Sequence, residues 1–389
     1  MKLSSLLQQL PPYHFAEYNR MMAEKQAAGV DVINFSMGDP DLPTPAPVLE
    51  ALTEAAYQPS NQRYPEYAGM PQLREAVVEW FQRRFGVGLD ADAEVLPLIG
   101  SKEGLAHLPL AVMDRGDTAL VPDPGYPVYP TAVTLAGGIV VSVPLSQEEG
   151  WLPDLTAIPA DVADRAKVLW LNYPNNPTGA CAPLTFFEAA VRFAKRHDIL
   201  LVHDMAYAEV AFDGYRPHSI LEVAGARDVA VEFHSLSKAF NMAGFRVGML
   251  LGNRLIVQGL ARLKSHLDTG IFRPIQVASS RALALPQEWL AARNAVYQRR
   301  RDRLGEALRH AGMQAEVPKA GLYIWARIPA GYVTSSQFVL DLLDQTGVAL
   351  TPGTNFGVRG EGYIRMSLTV PDAQIETAIA RLESAKVGI

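Results

Sequence analysis

The chain has 389 residues, of which 49% are hydrophobic and 20% charged. That composition is typical of a folded globular protein, and the length exceeds what one hydrophobic core usually supports. The net charge of −6, from 35 basic and 41 acidic residues, and the lack of a long basic run exclude an ordinary nucleic-acid-binding surface. The single cysteine, Cys181, excludes an internal disulfide bond. Because of the length of the chain, we predict two lobes with separate cores.

The N-terminal residues and one uncharged stretch are the candidates for a signal peptide and a membrane-spanning helix. Residues 1–12 carry one positive charge and a short, glutamine-interrupted apolar stretch, which lacks the apolar region of a signal peptide. Residues 124–147 carry no charge, but prolines and glycines interrupt them, so they cannot form a continuous membrane helix. We therefore expect a cytoplasmic protein without a membrane partner.

Short apolar runs alternate with amphipathic stretches along the middle of the chain. The runs predict strands at residues 95–99, 118–121, 139–143, 168–171, 199–202, 229–231 and 244–252. Runs of this kind suit strands that are buried on both faces of a mostly parallel sheet, with helices such as residues 183–197 as crossovers. From about residue 285 a different pattern begins: a helix rich in arginine (289–311), strands at 323–328 and 362–368, and a final helix from residue 372. It predicts a smaller α+β lobe.

Polar residues follow several of the predicted strands, where ligands gather in open α/β sheets. Residues 100–104 place glycine and serine at the start of a helix, whose N–H groups can bind an anion. Tyr126 follows the next strand, residues 175–179 (Asn-Asn-Pro-Thr-Gly) follow another, and Asp204 follows a fourth. Each of these alone is equally typical of an ordinary turn or helix cap. Their occurrence together indicates a ligand site.

Lys238 is the most informative residue of the chain. It follows two serines, Ser235 and Ser237, and Arg246 lies eight positions after it, in a segment whose pattern predicts a strand, a turn and a strand. A lysine amine can form a Schiff base with the aldehyde of pyridoxal phosphate, and the phosphate of that cofactor needs hydrogen-bond donors and positive charge nearby. The segment therefore predicts both functions in one place.

This segment resembles the cofactor-lysine region of class I/II pyridoxal-phosphate aminotransferases of the aspartate aminotransferase fold type. The resemblance extends from about residue 31 to the C-terminus. It implies the α/β architecture of fold type I: a large domain of residues 48–284, with a mostly parallel, seven-stranded type of sheet between helices, and a smaller α+β domain of residues 1–47 and 285–389. Lys102 departs from the family pattern, which often has a small or hydroxyl residue there.

The resemblance also implies roles for individual residues. The phosphate is expected to be bound by the backbone of Ser101 and Lys102, the hydroxyls of Ser235 and Ser237, and Arg246. The ring of the cofactor is expected to meet Tyr126 by stacking, Asp204 at its nitrogen, and Tyr207 and Asn176 at its 3′ oxygen. The substrate carboxylate is expected to bind Arg365 and the N–H of Gly38, beside Asn176. Tyr64 is expected to reach the phosphate of the neighbouring subunit, which implies a homodimer with its site at the interface. No metal is implied.

The resulting hypothesis is an aminotransferase that moves an amino group from an L-amino acid to a 2-oxo acid in two half-reactions, with Lys238 as Schiff-base residue and then as general base and acid. LL-diaminopimelate, alanine and aspartate are the candidate donors. Two alternatives use the same fold: a β-lyase that cleaves carbon–sulfur bonds, and a catalytically silent binding protein. A nicotinamide dehydrogenase is disfavoured because no Gly-x-Gly-x-x-Gly follows a strand.

Overall fold

The structure is a computed structural model that describes residues 2–10 and 14–384. In that part of the chain the helices are α1 (Ser5–Gln9), α2 (His14–Ala27), α3 (Ala46–Ala56), α4 (Pro71–Phe85), α5 (Ser101–Val112), α6 (Val128–Leu135), α7 (Ala160–Ala163), α8 (Leu184–His197), α9 (Leu236–Ala239), α10 (Arg254–Leu267), α11 (Arg273–Leu283), α12 (Gln287–His310), α13 (Ser335–Thr346) and α14 (Asp372–Ser384). The strands are β1 (Ile33–Asn34), β2 (Val95–Leu98), β3 (Thr118–Asp123), β4 (Ile139–Pro144), β5 (Ala166–Asn172), β6 (Leu200–Asp204), β7 (Ala230–Ser235), β8 (Gly248–Gly252), β9 (Gln314–Ala315), β10 (Tyr323–Arg327), β11 (Val348–Ala349), β12 (Thr351–Pro352) and β13 (Tyr363–Ser367).

The largest sheet has seven strands in the order β2-β8-β7-β6-β5-β3-β4. Strands β3 to β7 run parallel to one another, and β8 is antiparallel to both of its neighbours, β2 and β7. The carboxyl ends of β2, β3, β5, β6 and β7 therefore lie along one edge of the sheet. This arrangement confirms the predicted α/β fold class and each predicted strand of this region, with ends shifted by a few residues.

The central strands are mostly apolar because both faces of the sheet are covered. In β5, Val168 and Trp170 belong to the core on one face, and Leu169 and Leu171 belong to the core on the other. Helices α4, α8 and α11 contribute to the second core, and α5, α6 and α10 contribute to the first. Successive side chains of one strand thus point to opposite faces of the sheet and pack against helices on both faces.

A second, antiparallel sheet of four strands, β12-β13-β10-β9, lies in the C-terminal part of the chain and shares a core with α12, α13 and α14. This is the predicted α+β lobe. The N-terminal segment joins it through β1, which pairs in parallel with β11 at Ile33↔Val348 and Asn34↔Ala349. The division of the chain at residues 47/48 and 284/285 stays a prediction.

Among the helices of the described residues, none combines the length and the apolar character required to cross a bilayer. The cytoplasmic location stays a prediction.

Phe187 offers a test of the sheet–helix packing. Its ring is fully buried on α8 and lies 4.8 Å, centroid to centroid, from the ring of His203 on β6. We expect Phe187→Ala to lower the free energy of unfolding by about 3–5 kcal/mol, because the lost contacts and the cavity both destabilise the core. Urea unfolding measures this. The control is Leu255→Ala, whose side chain is 76% exposed on α10, and which should change stability by less than about 0.5 kcal/mol. Equal losses in the two variants would contradict the predicted role of this core.

Candidate active site

A cavity of about 490 Å³ opens at the carboxyl edge of the large sheet, and its size is that of a small-molecule site. One wall consists of the turns after β2, β3, β5, β6 and β7, and the other of the segment after β1 together with β10 and β13. The sequence-predicted site residues that line it are Gly38, Ser101, Lys102, Tyr126, Asn176, Asp204, Tyr207, Ser235, Ser237, Lys238, Arg246 and Arg365. Residues far apart in sequence are thus brought together where the sheet topology predicts.

Lys238 lies on α9, a single helical turn inside the segment that the sequence predicts as strand, turn and strand. Its Nζ donates a hydrogen bond to the carbonyl oxygen of Gly38, across the cavity. Burial lowers the pKa of this amine, and the charges of Arg365 and Arg246 act in the same direction, while Tyr323 and Asp39 oppose it. The site therefore disfavours the charged form of the amine relative to a lysine in water.

The groups predicted to bind phosphate form a cradle around the first turn of α5. Gly100, the residue before α5, has φ of +77°, and a Cβ built there would lie 2.3 Å from Nη2 of Arg246. Glycine is therefore required both by the backbone conformation and by the approach of the guanidinium. Beside it, Ser235 caps α9 by accepting a hydrogen bond from the N–H of Ser237 at 3.2 Å. A helix N-terminus, two serines and an arginine fit a dianionic phosphate.

Asp204 ends β6 with its side chain 4% exposed. Its Oδ2 accepts a hydrogen bond from the hydroxyl of Tyr129 at 2.8 Å, whereas its buried Oδ1 has no hydrogen-bond partner among the described residues. Burial raises the pKa of this carboxyl, and the Tyr129 hydrogen bond and the charge of His203 oppose the rise. A buried carboxylate oxygen beside a cavity fits an N–H partner such as the protonated ring nitrogen of pyridoxal phosphate.

Arg365 comes from β13 and has a side chain that is 4% exposed. Nη1 donates to Oδ1 of Asn176 at 2.8 Å, and Nη2 donates to the carbonyl oxygen of Ser36 at 2.6 Å. The guanidinium carbon lies 4.0 Å from the centroid of the Tyr323 ring, a cation–π contact. The fork is thereby held in place at the cavity wall.

Asn172 shapes the turn that carries Asn176. Its Oδ1 accepts from the N–H of Asn176 at 2.8 Å, and its Nδ2 donates to the carbonyl oxygen of Asp204 at 2.7 Å. One side chain therefore fixes the turn after β5 to the end of β6. This contact explains why the asparagine-rich segment is more than a surface turn.

Tyr323 is a cavity residue that the sequence reasoning missed. Its hydroxyl accepts a hydrogen bond from Tyr207 at 3.1 Å, and a Cβ at Gly38 would lie 1.9 Å from it. Burial raises the pKa of Tyr207. The sequence indicates both β10 and β13, but the contact with Arg365 depends on their register, Tyr323↔Ser367 and Trp325↔Arg365. No sequence signal gives that register.

Four further polar residues in or beside the cavity were also missed: Ser36, Asp39, Tyr129 and Asn172. Asn172 directly follows the predicted strand at residues 168–171. A polar residue at the end of a strand is the signal that could have identified it. Tyr129 acts through Asp204 from α6, and only the packing of that helix brings the two together.

Tyr64 lies apart from this cavity and is 85% exposed. Its loop is held by Arg273, which donates to the carbonyl oxygen of Ser60 at 2.7 Å and to Glu66 at 2.9 Å. Arg20 is exposed and pairs with Glu24. Neither Arg20 nor Arg273 lines the cavity.

One group of potential metal ligands occurs among the described residues: Glu103, His107 and Asp268. The fully buried ammonium of Lys264 lies 2.7 Å from Asp268 and 3.5 Å from Glu103. This ammonium already provides the positive charge that the two carboxylates require.

Comparison with known proteins places this geometry in a family. The sequence model of class I and II aminotransferases matches residues 30–382. An LL-diaminopimelate aminotransferase of Dehalococcoides mccartyi is 55% identical over 386 residues, 99% of each chain, and one of Gloeobacter violaceus is 52% identical over 100% of this chain and 99% of that protein. The structure of substrate-bound BacF from Bacillus subtilis superposes with a TM-score of 0.96 at 36% identity, over 100% of this chain and 99% of that one.

The lowered pKa of Lys238 predicts a pH dependence of stability. Because the amine loses its proton in the folded chain below the unfolded pKa of 10.5, the unfolded chain binds more protons between the two pKa values, and the free energy of unfolding rises with pH there. We expect this rise in the cofactor-free protein and its loss in Lys238→Met, in urea unfolding as the pH is raised toward 10.5. Lys195→Met, at an exposed ion pair with Asp228, is the control. Parallel curves for wild type and Lys238→Met would contradict the lowered pKa.

Proposed function

Because the chain belongs to the class I and II aminotransferase family, we propose that it moves an amino group from LL-diaminopimelate to a 2-oxo acid. The chain is a transaminase, which acts on amino and oxo acids. The donor is supported by one observation: the relatives that are 55% and 52% identical over nearly the whole chain are LL-diaminopimelate aminotransferases. Among the three candidate donors, this support favours LL-diaminopimelate over alanine and aspartate.

The family depends on pyridoxal phosphate. When bound, the cofactor supplies an aldehyde that reacts with amines and a conjugated ring that accepts the electrons of a Cα–H bond. We propose that the phosphate is held by Arg246, by the hydroxyls of Ser235 and Ser237, and by the N–H groups of Ser101 and Lys102. We propose that the ring is held by Asp204, Tyr126, Tyr207 and Asn176.

Lys238 has the properties of the proton-transfer residue. Its amine is partly buried, its pKa is lowered, and two arginines on opposite sides of the cavity disfavour its charged form. In the neutral form Nζ can take a proton from the substrate Cα, and in the charged form it can return one. The hydrogen bond to Gly38 O holds Nζ near the segment whose N–H is proposed to meet the substrate carboxylate.

Arg365 has the geometry to orient the substrate. A guanidinium fork binds a carboxylate at two points, and its own contacts with Asn176 and Ser36 prevent it from swinging away. With the carboxylate fixed, the orientation of the Cα–H bond relative to Lys238 is fixed as well. The aminotransferase relatives favour transamination over the β-lyase alternative and over a silent binding protein.

We also propose the two-domain division at residues 48–284 and a homodimer in which Tyr64 serves the neighbouring site. The dimer is supported by the exposed position of Tyr64 on a loop that Arg273 holds in place. A tyrosine held outward in this way suits a contact with another chain.

The donor assignment predicts a ranking of substrates. With 2-oxoglutarate as acceptor, we expect kcat/KM for LL-diaminopimelate to exceed that for alanine and for aspartate by at least about tenfold, a difference of about 1.4 kcal/mol in transition-state binding. Glutamate formation measures it. Equal or better use of alanine or aspartate would overturn the donor, and release of pyruvate and ammonia from cystathionine without an acceptor would support the lyase.

Lys238→Ala tests the catalytic role of Lys238. We expect it to lower kcat by roughly 10²–10⁴-fold or more, whereas Lys195→Ala, on the surface, should leave kcat unchanged. Wild-type activity in Lys238→Ala would reject the mechanism irrespective of the donor.

The dimer predicts complementation between two defective variants. Tyr64→Phe should weaken binding of pyridoxal phosphate by roughly ten- to a hundredfold, because a hydrogen bond to a charged group is lost. Mixed with Lys238→Ala and allowed to exchange subunits, it should regain wild-type cofactor affinity at sites that combine its Lys238 with the intact Tyr64 of the other subunit. Titration of cofactor absorbance and sedimentation velocity measure this. A monomer in solution, or affinity unchanged by mixing, would refute the shared site.

A further inference from the structure

The arginine-rich helix α12 buries three of its arginines, namely Arg293, Arg300 and Arg301. Two of them bind carboxylates: Arg300 binds Asp41 at 2.7 and 2.9 Å, and Arg301 binds Asp213 at 2.7 Å. Arg293 differs, because the acceptors of its hydrogen bonds are backbone carbonyls and an amide oxygen. The contacts of Arg293 therefore demand a separate explanation.

Arg293 joins two segments of the active site. Its Nη1 lies 2.6 Å from the carbonyl oxygen of Lys238 and 2.6 Å from that of Ala239, and its Nη2 lies 2.5 Å from the carbonyl oxygen of Glu209. Asn294 donates to the same Glu209 carbonyl at 2.9 Å and accepts from Nε of Arg293 at 3.0 Å. The guanidinium thus connects the backbone of the reactive lysine to the loop that follows Asp204 and Tyr207.

The backbone of α9 explains why a cation is placed there. The helix is one turn long, Leu236–Ala239, so its last carbonyl groups lack partners within the helix, and they carry its partial negative charge. A planar guanidinium can bind several such oxygens at once, which a lysine ammonium cannot do with the same fixed geometry. Arg293 therefore acts as the C-terminal cap of the helix that bears Lys238.

Stability alone does not account for this residue. Arg293 is 5% exposed, burial lowers its pKa to about 10, and the nearby Glu209 carboxylate is bound at 2.9 Å by Arg84. A buried charge among neutral acceptors is unfavourable compared with an apolar side chain of similar volume. The hydrogen bonds of the guanidinium fix the distance between the backbone at Lys238 and the backbone at Glu209.

We propose that Arg293 is a positioning residue for Lys238, which sets the place of the amine relative to Asp204 and Tyr207 from a helix of the C-terminal lobe. The proposal rests on the role of Lys238 in the proposed function, but it is independent of the identity of the donor. A displacement of about 1 Å at a reacting group can lower a rate by roughly 100-fold, so the cap has a kinetic consequence.

The test compares Arg293→Met and Arg293→Lys with Arg299→Met, an exposed arginine of the same helix. With any donor that the wild type accepts, we expect Arg293→Met to lower kcat by roughly 100-fold with KM changed less than about threefold, because Arg365 is untouched. Arg293→Lys should lower kcat by a smaller factor than Arg293→Met does. Arg299→Met should have the kcat of the wild type. In the cofactor-free protein, amide hydrogen exchange of residues 236–241 should be faster in Arg293→Met, faster to a smaller extent in Arg293→Lys, and unchanged in Arg299→Met.

Two results would overturn the proposal. The first is wild-type kcat in Arg293→Met, which, together with a lower unfolding midpoint, would make Arg293 merely structural. The second is unchanged exchange at residues 236–241 in Arg293→Met. If Arg293→Met does not fold, Arg293→Lys carries the same two readouts. Failure of the proposed function is distinguishable from failure of this proposal. It would appear as activity in Lys238→Ala, while the faster exchange in Arg293→Met would remain.

Discussion

The cavity depends on one buried guanidinium that binds three distant parts of the chain to one another. A parallel sheet provides an open edge with polar turns, but it cannot close that edge by itself. Arg365 closes it from β13, by hydrogen bonds to Asn176 after β5 and to Ser36 after β1, and by its contact with Tyr323 on β10. Since a buried charge without partners is strongly unfavourable, these contacts specify the relative position of the segments as well as the place of the cation.

A second buried polar network joins β6 and β7 next to the cavity. The carboxylate of Glu232 on β7 accepts hydrogen bonds from His203, His234, Ser219 and the N–H of Ile220, all within 2.9 Å. These bonds outweigh the effect of burial and lower the pKa of Glu232 to about 2. Because His203 precedes Asp204 and His234 precedes Ser235, the network also fixes how far β6 and β7 extend toward the cavity.

The parts of the molecule that were predictable from sequence are those governed by local patterns. Apolar runs identify the central strands because both faces of the sheet are buried, and the residues just after those runs identify the cavity because parallel strands end at one edge. The roles proposed for Asp204 and Arg365 came from the resemblance to a family. The pairing of β1 with β11 was not predictable, because two-residue strands have no periodicity to detect. The helix α12 was predicted, but not that Arg293 faces inward, since arginine is usually exposed.

The charges around Lys238 change their balance when ligands bind. Arg246 and Arg365 both disfavour a proton on the amine, and a guanidinium is a group that binds phosphates and carboxylates. An anion at either arginine offsets the repulsion that this arginine exerts on the ammonium, because opposite charges at short range cancel in the potential that the amine experiences. Each bound anion therefore makes the amine easier to protonate. The proton affinity of the amine is thus coupled, through charge alone, to the binding of anions at the two arginines.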